Sequence, residues 1–194
     1  NTGSAELKAM EKRRGYLPGP ANDLIRNMVV KNDLFIDMLS ITAAKIKRRE
    51  DEELALRFFA YSDNYLNFVN RVDIFLNDYL KSQNKKWGEL SENELKESQN
   101  TKMNELINTF EFVRKYFPNG FYKDSKTKQI SRVRFEAIAV GTNLALREKP
   151  NLVPSNFEWL KADEFRELVE TDGSNTKKRL RGRIEYVKNK LLES

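Results

Sequence analysis

The apolar positions of this chain recur at helical spacing almost from end to end, broken by clusters of glycine, proline and small polar residues. Ala5 to Arg14 reads as a first short helix, closed by Gly15 and the turn "GYLPGP", where Pro18 and Pro20 forbid continuation. Asn22 or Asp23 is placed to cap a second helix bearing Leu24, Ile25, Met28 and Val29, and Asn32 or Asp33 a third bearing Leu34, Phe35, Met38 and Leu39. In "KIKRREDEELALRFFAY" four positive residues give way to four acids, which belong in the first turn of a helix because its dipole favours them there. Leu54, Phe58 and Tyr61 make the buried face of that helix. A fifth carries Val72, Phe75, Leu76 and Tyr79 and stops at the polar stretch "SQNKKWGEL".

Ser91 with Glu94 forms a capping box, and a long helix runs from there to about Tyr116 with Met103, Leu106, Phe110, Val113 and Phe117 on one stripe. "PNG" ends it, and "FYKDSKTKQISR" reads as a loop or hairpin. "RVRFEAIAVGTNLAL" places Phe135, Ile138, Ala139, Thr142 and Leu146 on one face, and its small residues suit a central helix closely packed by neighbours. Pro150 and Pro154 bracket a linker, after which two helices, about Asn156 to Glu170 and Thr176 to Leu192, flank "TDGSN". The pattern predicts one all-α domain over residues 1–194, an irregular bundle of eight or nine helices with Phe58, Phe110, Phe135 and Ile138 in one core.

Composition narrows the chemistry. Aromatics make up 11% of the chain, too many for a disordered sequence although 33% of it is charged. No apolar run approaches the length of a membrane span and no signal peptide is visible, so the expectation is a soluble, cytoplasmic protein. The chain contains neither Cys nor His, which excludes disulfides, thiolate nucleophiles, imidazole bases and His-bearing zinc sites. It also lacks a glycine-rich phosphate loop and a metal-ligand set, so we expect no catalytic residues, metal or cofactor in this chain.

The net charge of +6 is concentrated in the last helix, where seven positive residues between Lys177 and Lys190 face a single acid, Glu185. Leu180, Ile184, Val187 and Leu191 form that helix's core stripe, with Lys177, Arg181 and Lys188 on one flank and Arg179, Arg183 and Lys190 on the other. Flanking cations suit stems that cover the edge of a core, and equally a patch that meets phosphate. The candidate nucleic-acid contacts are Lys178, Arg179, Arg181, Arg183 and Lys188. Glu50 to Glu53 point in different directions from a helix, which favours end stabilisation over Mg²⁺ binding. Arg57, embedded in an apolar run, needs a carboxylate, from Glu53 or from another helix.

Several segments, in order along the chain, resemble the helical half of the domain-of-unknown-function family 262, found in Gmr-type modification-dependent restriction enzymes and related phage-defence proteins. "NTGSAEL" is similar to that family's N-T-G-x-x-x-L element, and Glu11 and Arg13 stand where it has an E-x-R. "GYLPGPANDLI", "DEELALRFFA" and "RFEAIAV" resemble its R-G-P-F-N-D-L-L, D-E-E-L-V-L-R-F and F-E-A-I stretches. "TKKRLRGRIEYVKNKLL" resembles its closing R-I-x-x-V helix. The chain departs from the family at Ala21, where an aromatic is common, and in the tight pair of prolines around Gly19.

The resemblance implies that the chain is the C-terminal half of a longer DNA-targeting domain. The partner half would be a ParB/sulfiredoxin-like α/β unit carrying D-G-Q-Q-R and most of the hydrolytic residues. NTP and Mg²⁺ would then belong to the full-length parent, and a nuclease domain or subunit would act downstream. By the same resemblance Asn1, Thr2 and Gly3 fall in the neighbourhood of the nucleotide site, with Glu11 and Arg13 close by. The expected function is DNA binding and regulation within a restriction-type system. The alternative is a self-sufficient helical protein-interaction module that docks an acidic partner through its basic C-terminal helix.

Overall fold

The structure, a computed structural model, describes residues 7–127, 129–170 and 175–193, and these contain helices and no strand. The fold is all-α, as the stripes predict. Among the described residues no helix is long and apolar enough to cross a membrane.

Helix α1 (Ala9–Tyr16) begins after Lys8, whose backbone N–H donates to the Glu11 carboxylate at 2.7 Å, and runs through Gly15 rather than stopping there. Residues 1–6, where the first helix was expected to start, lie outside the described residues. The "GYLPGP" turn is held from a distance by Asn84, which accepts from the Ala21 N–H at 2.9 Å and donates to the Leu17 carbonyl at 3.2 Å. Gly19 lies so close to this amide that a Cβ there would sit 2.5 Å from Asn84 Cγ. Helix α2 (Pro20–Leu24) therefore starts at Pro20 and not at Asn22 or Asp23, because proline's fixed φ and missing N–H suit the first helical position. Asn22 instead donates to the Leu17 carbonyl. A π-helical turn, Ile25–Val29, continues α2, and Asn32 caps α3 (Asp33–Leu39) by accepting from the Phe35 N–H at 3.1 Å.

The "KIKRREDEEL" run forms two helices. Short α4 (Ala43–Lys47) buries nothing, Arg49 adopts φ 60°, and α5 (Glu50–Asn64) starts anew with the four acids in its first turn. Helix α5 is central, and every residue from Ala55 to Ser62 is buried, well beyond the single face expected. Helix α6 (Val72–Gly88) passes straight through "SQNKKWG": nothing before Gly88 breaks the backbone, and Trp87 anchors the last turn in the core. Helix α7 (Glu92–Tyr116) opens on the expected capping box of Ser91 and Glu94.

After a loop ordered around Asp124, α8 (Arg132–Phe135) runs through a second π-turn, Glu136–Val140, into α9 (Gly141–Glu148). Residues 133–143 are buried throughout, as their small side chains suggested. The expected helix from Asn156 to Glu170 is instead a 3₁₀ turn (Glu158–Lys161) and short α10 (Asp163–Leu168), with Trp159 and Phe165 turned inward. Thr176 caps α11 (Lys177–Leu192).

One apolar cluster joins residues from Met10 to Leu191. Phe58, Phe110, Phe135 and Ile138 all lie within it, and Phe110 packs against Phe35, Phe58, Phe121 and Phe135. On the edge of the bundle Asp63 accepts from Lys102 (2.6 Å), Arg147 (2.8 Å) and the Tyr79 hydroxyl (2.8 Å), tying α5 to α6, α7 and α9.

Candidate anion-binding cleft

The first turn of α5 divides its acids between two surroundings. Glu52 turns into the protein beside Arg14 (3.4 Å) and Arg49 (3.6 Å). Burial raises the pKa of both Glu52 and Asp51. Glu53 points the other way, accepting from Arg57 Nη2 at 2.7 Å and Nε at 3.0 Å, with Arg13 Nη1 at 3.7 Å. Burial opposes the charge on Glu53, but the two guanidiniums outweigh it and hold the pKa below the ordinary value. Among the described residues no group of three or more acidic side chains is placed to hold a metal.

Arg57 carries this arrangement inward. It is 4% exposed and also donates from Nη1 to Glu136 Oε1 at 2.7 Å. Desolvation works against its charge, yet the carboxylates of Glu136 and Glu53 keep its pKa above the ordinary value. The other oxygen of Glu136 accepts from Arg183 Nη2 on α11. Alternating charges thus run from Arg13 on α1 through Glu53, Arg57 and Glu136 to Arg183, crossing the core between four helical segments. The reading of Arg57 as a structural ion pair understated it, since both anticipated sources of a carboxylate are used.

Helix α11 corrects one candidate outright. Arg183 is 1% exposed and bonded to Glu136, so it is not on a surface where DNA phosphate could meet it. Arg179 donates to the Glu167 carbonyl at 3.5 Å, Arg181 donates to the Leu66 carbonyl, and Lys188 pairs with Glu148 at 2.6 Å. Lys178 is exposed. Leu180, Ile184, Val187 and Leu191 are buried, so the stems beside them cover core edges. Asn1, Thr2 and Gly3 lie outside the described residues. Glu11 closes the start of α1, and Arg13 is buried, with its Nε donating to Asn77 at 2.8 Å.

The structure assembles a different basic site. A cleft of about 540 Å³ opens where the start of α1, the α3–α4 loop, the start of α5 and the start of α8 converge. Lys8, Lys45, Arg48 and Arg132 line it, against Glu50 and Glu53. Leu39, Ile41, Leu54 and Ile130 give it an apolar part, and Ser40 and Thr42 add hydroxyls. Glu50 lies 4.0 Å from Lys45, and Glu53 is engaged from within by Arg57 and Arg13. Among the described residues no carboxylate comes within ion-pair distance of Lys8, Arg48 or Arg132. What the cleft can do chemically is hold an anion that also has an apolar portion.

Sequence reasoning missed these four cations because they are far apart along the chain and each reads as an ordinary solvated charge. Glu136 did carry a signal. It is the one acid in "RVRFEAIAVG", as Arg57 is the one base in "LALRFFAY", and two opposite charges embedded in apolar runs are natural partners. Compared with models of known families, with curated proteins and with solved structures, the chain matches none.

Proposed function

We propose that this chain is the helical DNA-binding and regulatory portion of a restriction-type, nucleotide-dependent DNA-targeting protein of phage defence. The reading rests on the ordered motif resemblance, and the observation that carries its DNA-binding part is the convergence of Lys8, Lys45, Arg48 and Arg132 on one cleft. Phosphate contacts of this kind position a protein on nucleic acid and release counterions. Under this reading hydrolysis, NTP and Mg²⁺ belong to the α/β half of such proteins, and a nuclease domain or subunit acts downstream.

The basic C-terminal helix contributes less than its charge suggests, since Arg179, Arg181, Arg183 and Lys188 are all turned to acceptors of this fold. That weakens the alternative of an interaction module docking through α11. Duplex DNA binding measured across a salt series tests the proposal. The Lys45→Gln/Arg48→Gln variant should flatten the dependence of log K on log salt by roughly one unit per lost contact, and Lys178→Gln should change it less. Absence of salt-dependent DNA binding by the wild-type chain would refute it.

A further inference from the structure

We infer that the cleft between α1, α4, α5 and α8 is a binding site for a phosphomonoester, a phosphate carrying two negative charges and attached to an organic group. Its four cations exceed its two carboxylates by two positive charges, which matches the dianion. Pairing around the cleft leaves at least this much positive charge open to a ligand. Glu53 is held by the buried Arg57 and Arg13, so its charge is already answered from within. Lys8, Arg48 and Arg132 have no carboxylate at ion-pair distance among the described residues.

The arrangement of these cations selects among phosphates. A continuous backbone offers these cations one charge per phosphate, whereas a strand end or a free monoester offers two charges on a single phosphate. Here the cations come from the residue before α1, from α4 and the turn after it, and from α8, and they line one concave volume of about 540 Å³. That geometry suits a terminal phosphate entering end-on. The apolar lining of Leu39, Ile41, Leu54 and Ile130 would receive the group attached to it, and Ser40 and Thr42 add hydroxyls to the same cleft. Two sources present this chemistry, the phosphorylated end of a DNA strand and a free phosphorylated small molecule. The first rests on the DNA reading above, and the second does not.

The test is isothermal titration of the chain with three probes at fixed salt. They are a 5′-phosphorylated oligonucleotide, the same oligonucleotide without the phosphate, and thymidine 5′-monophosphate. The phosphorylated strand should bind on the order of tenfold tighter than its unphosphorylated twin. That advantage should shrink as pH falls below about 6, where the monoester loses its second charge.

Arg48→Ala should remove the advantage, as should Thr42→Trp, which fills the cleft from an exposed position. Lys178→Ala should keep it. Because α4 buries nothing and Thr42 and Arg48 are both exposed, these variants should fold, and an unchanged melting temperature would verify that. If thymidine monophosphate binds with the same variant sensitivity and neither strand binds, the site stands with a small-molecule source while the DNA reading fails. If both strands bind equally and thymidine monophosphate does not bind, the DNA reading stands and the phosphomonoester site is overturned.

Discussion

Replacing Glu136 by Gln should be among the most damaging single changes available to this protein. The Glu136 carboxylate is 1% exposed and is shared by two guanidiniums that are themselves 4% and 1% exposed, those of Arg57 and Arg183. Glutamine keeps the size and one acceptor oxygen but leaves two buried cations facing a neutral amide. Removing one partner of a buried pair costs about 3–5 kcal/mol, because the remaining charge stays desolvated after losing a carboxylate that offset its burial. For a domain of this length each kcal/mol lowers Tm by about 2–4 °C, so Tm should fall by roughly 6–20 °C. Thermal unfolding followed by circular dichroism, with the urea midpoint as a second measure, reads this directly. The double variant Glu136→Leu/Arg183→Met removes an anion and a cation together and leaves Arg57 its bonds to Glu53, so it should be more stable than Glu136→Gln alone. A Glu136→Gln protein within about 1 kcal/mol of wild type would refute the argument.

Other consequences are more local. Gly141→Ala should destabilise by about 1–3 kcal/mol, since a Cβ would sit 2.7 Å from Val187 Cβ and 2.8 Å from the Ile184 carbonyl oxygen. Gly15→Ala, in a helical position with open space around it, should instead stabilise by about 0.5–1 kcal/mol, and urea denaturation separates the two. Burial disfavours ionised Asp63, but Lys102, Arg147 and Tyr79 overcome it and lower its pKa below the ordinary 3.8. Its contribution to stability is therefore fully present above the unfolded value and lost as pH falls through the lower folded one, so Asp63→Asn should be destabilised at pH 7 and approach wild type in strong acid. Arg183→Gln should lower Tm without changing the salt dependence of DNA binding, a result opposite in kind to that of Arg48→Gln; a salt slope altered by Arg183→Gln would contradict its buried placement.

The all-helical class was legible in the sequence because a stripe repeating every three to four residues is a local property, and caps act within one turn. Asn32 on α3 and Ser91 with Glu94 on α7 behave as their spacing predicts, and the stripe of α11 is buried as read. Tertiary contacts decided where local signals were weak. Trp87 draws α6 past its polar stretch, Asn84 fixes the turn before Pro20, and Trp159 and Phe165 divide the helix expected from Asn156 to Glu170 into a 3₁₀ turn and α10.

The candidate site lay furthest from the sequence. A charge counts toward binding only through its exposure and its neighbours in space, and neither is periodic along the chain. Arg183 and Lys178 stand five residues apart in the same basic run, yet one is sealed against Glu136 and the other is in water. Lys8, Lys45, Arg48 and Arg132 span more than half the chain, yet packing of their helices brings them to one cleft. The sequence by itself determined which segments are helices and that positive charge is in excess; the tertiary structure alone decided which of those charges are spent on one another and which remain for a ligand, because electrostatic pairing depends on distance through space.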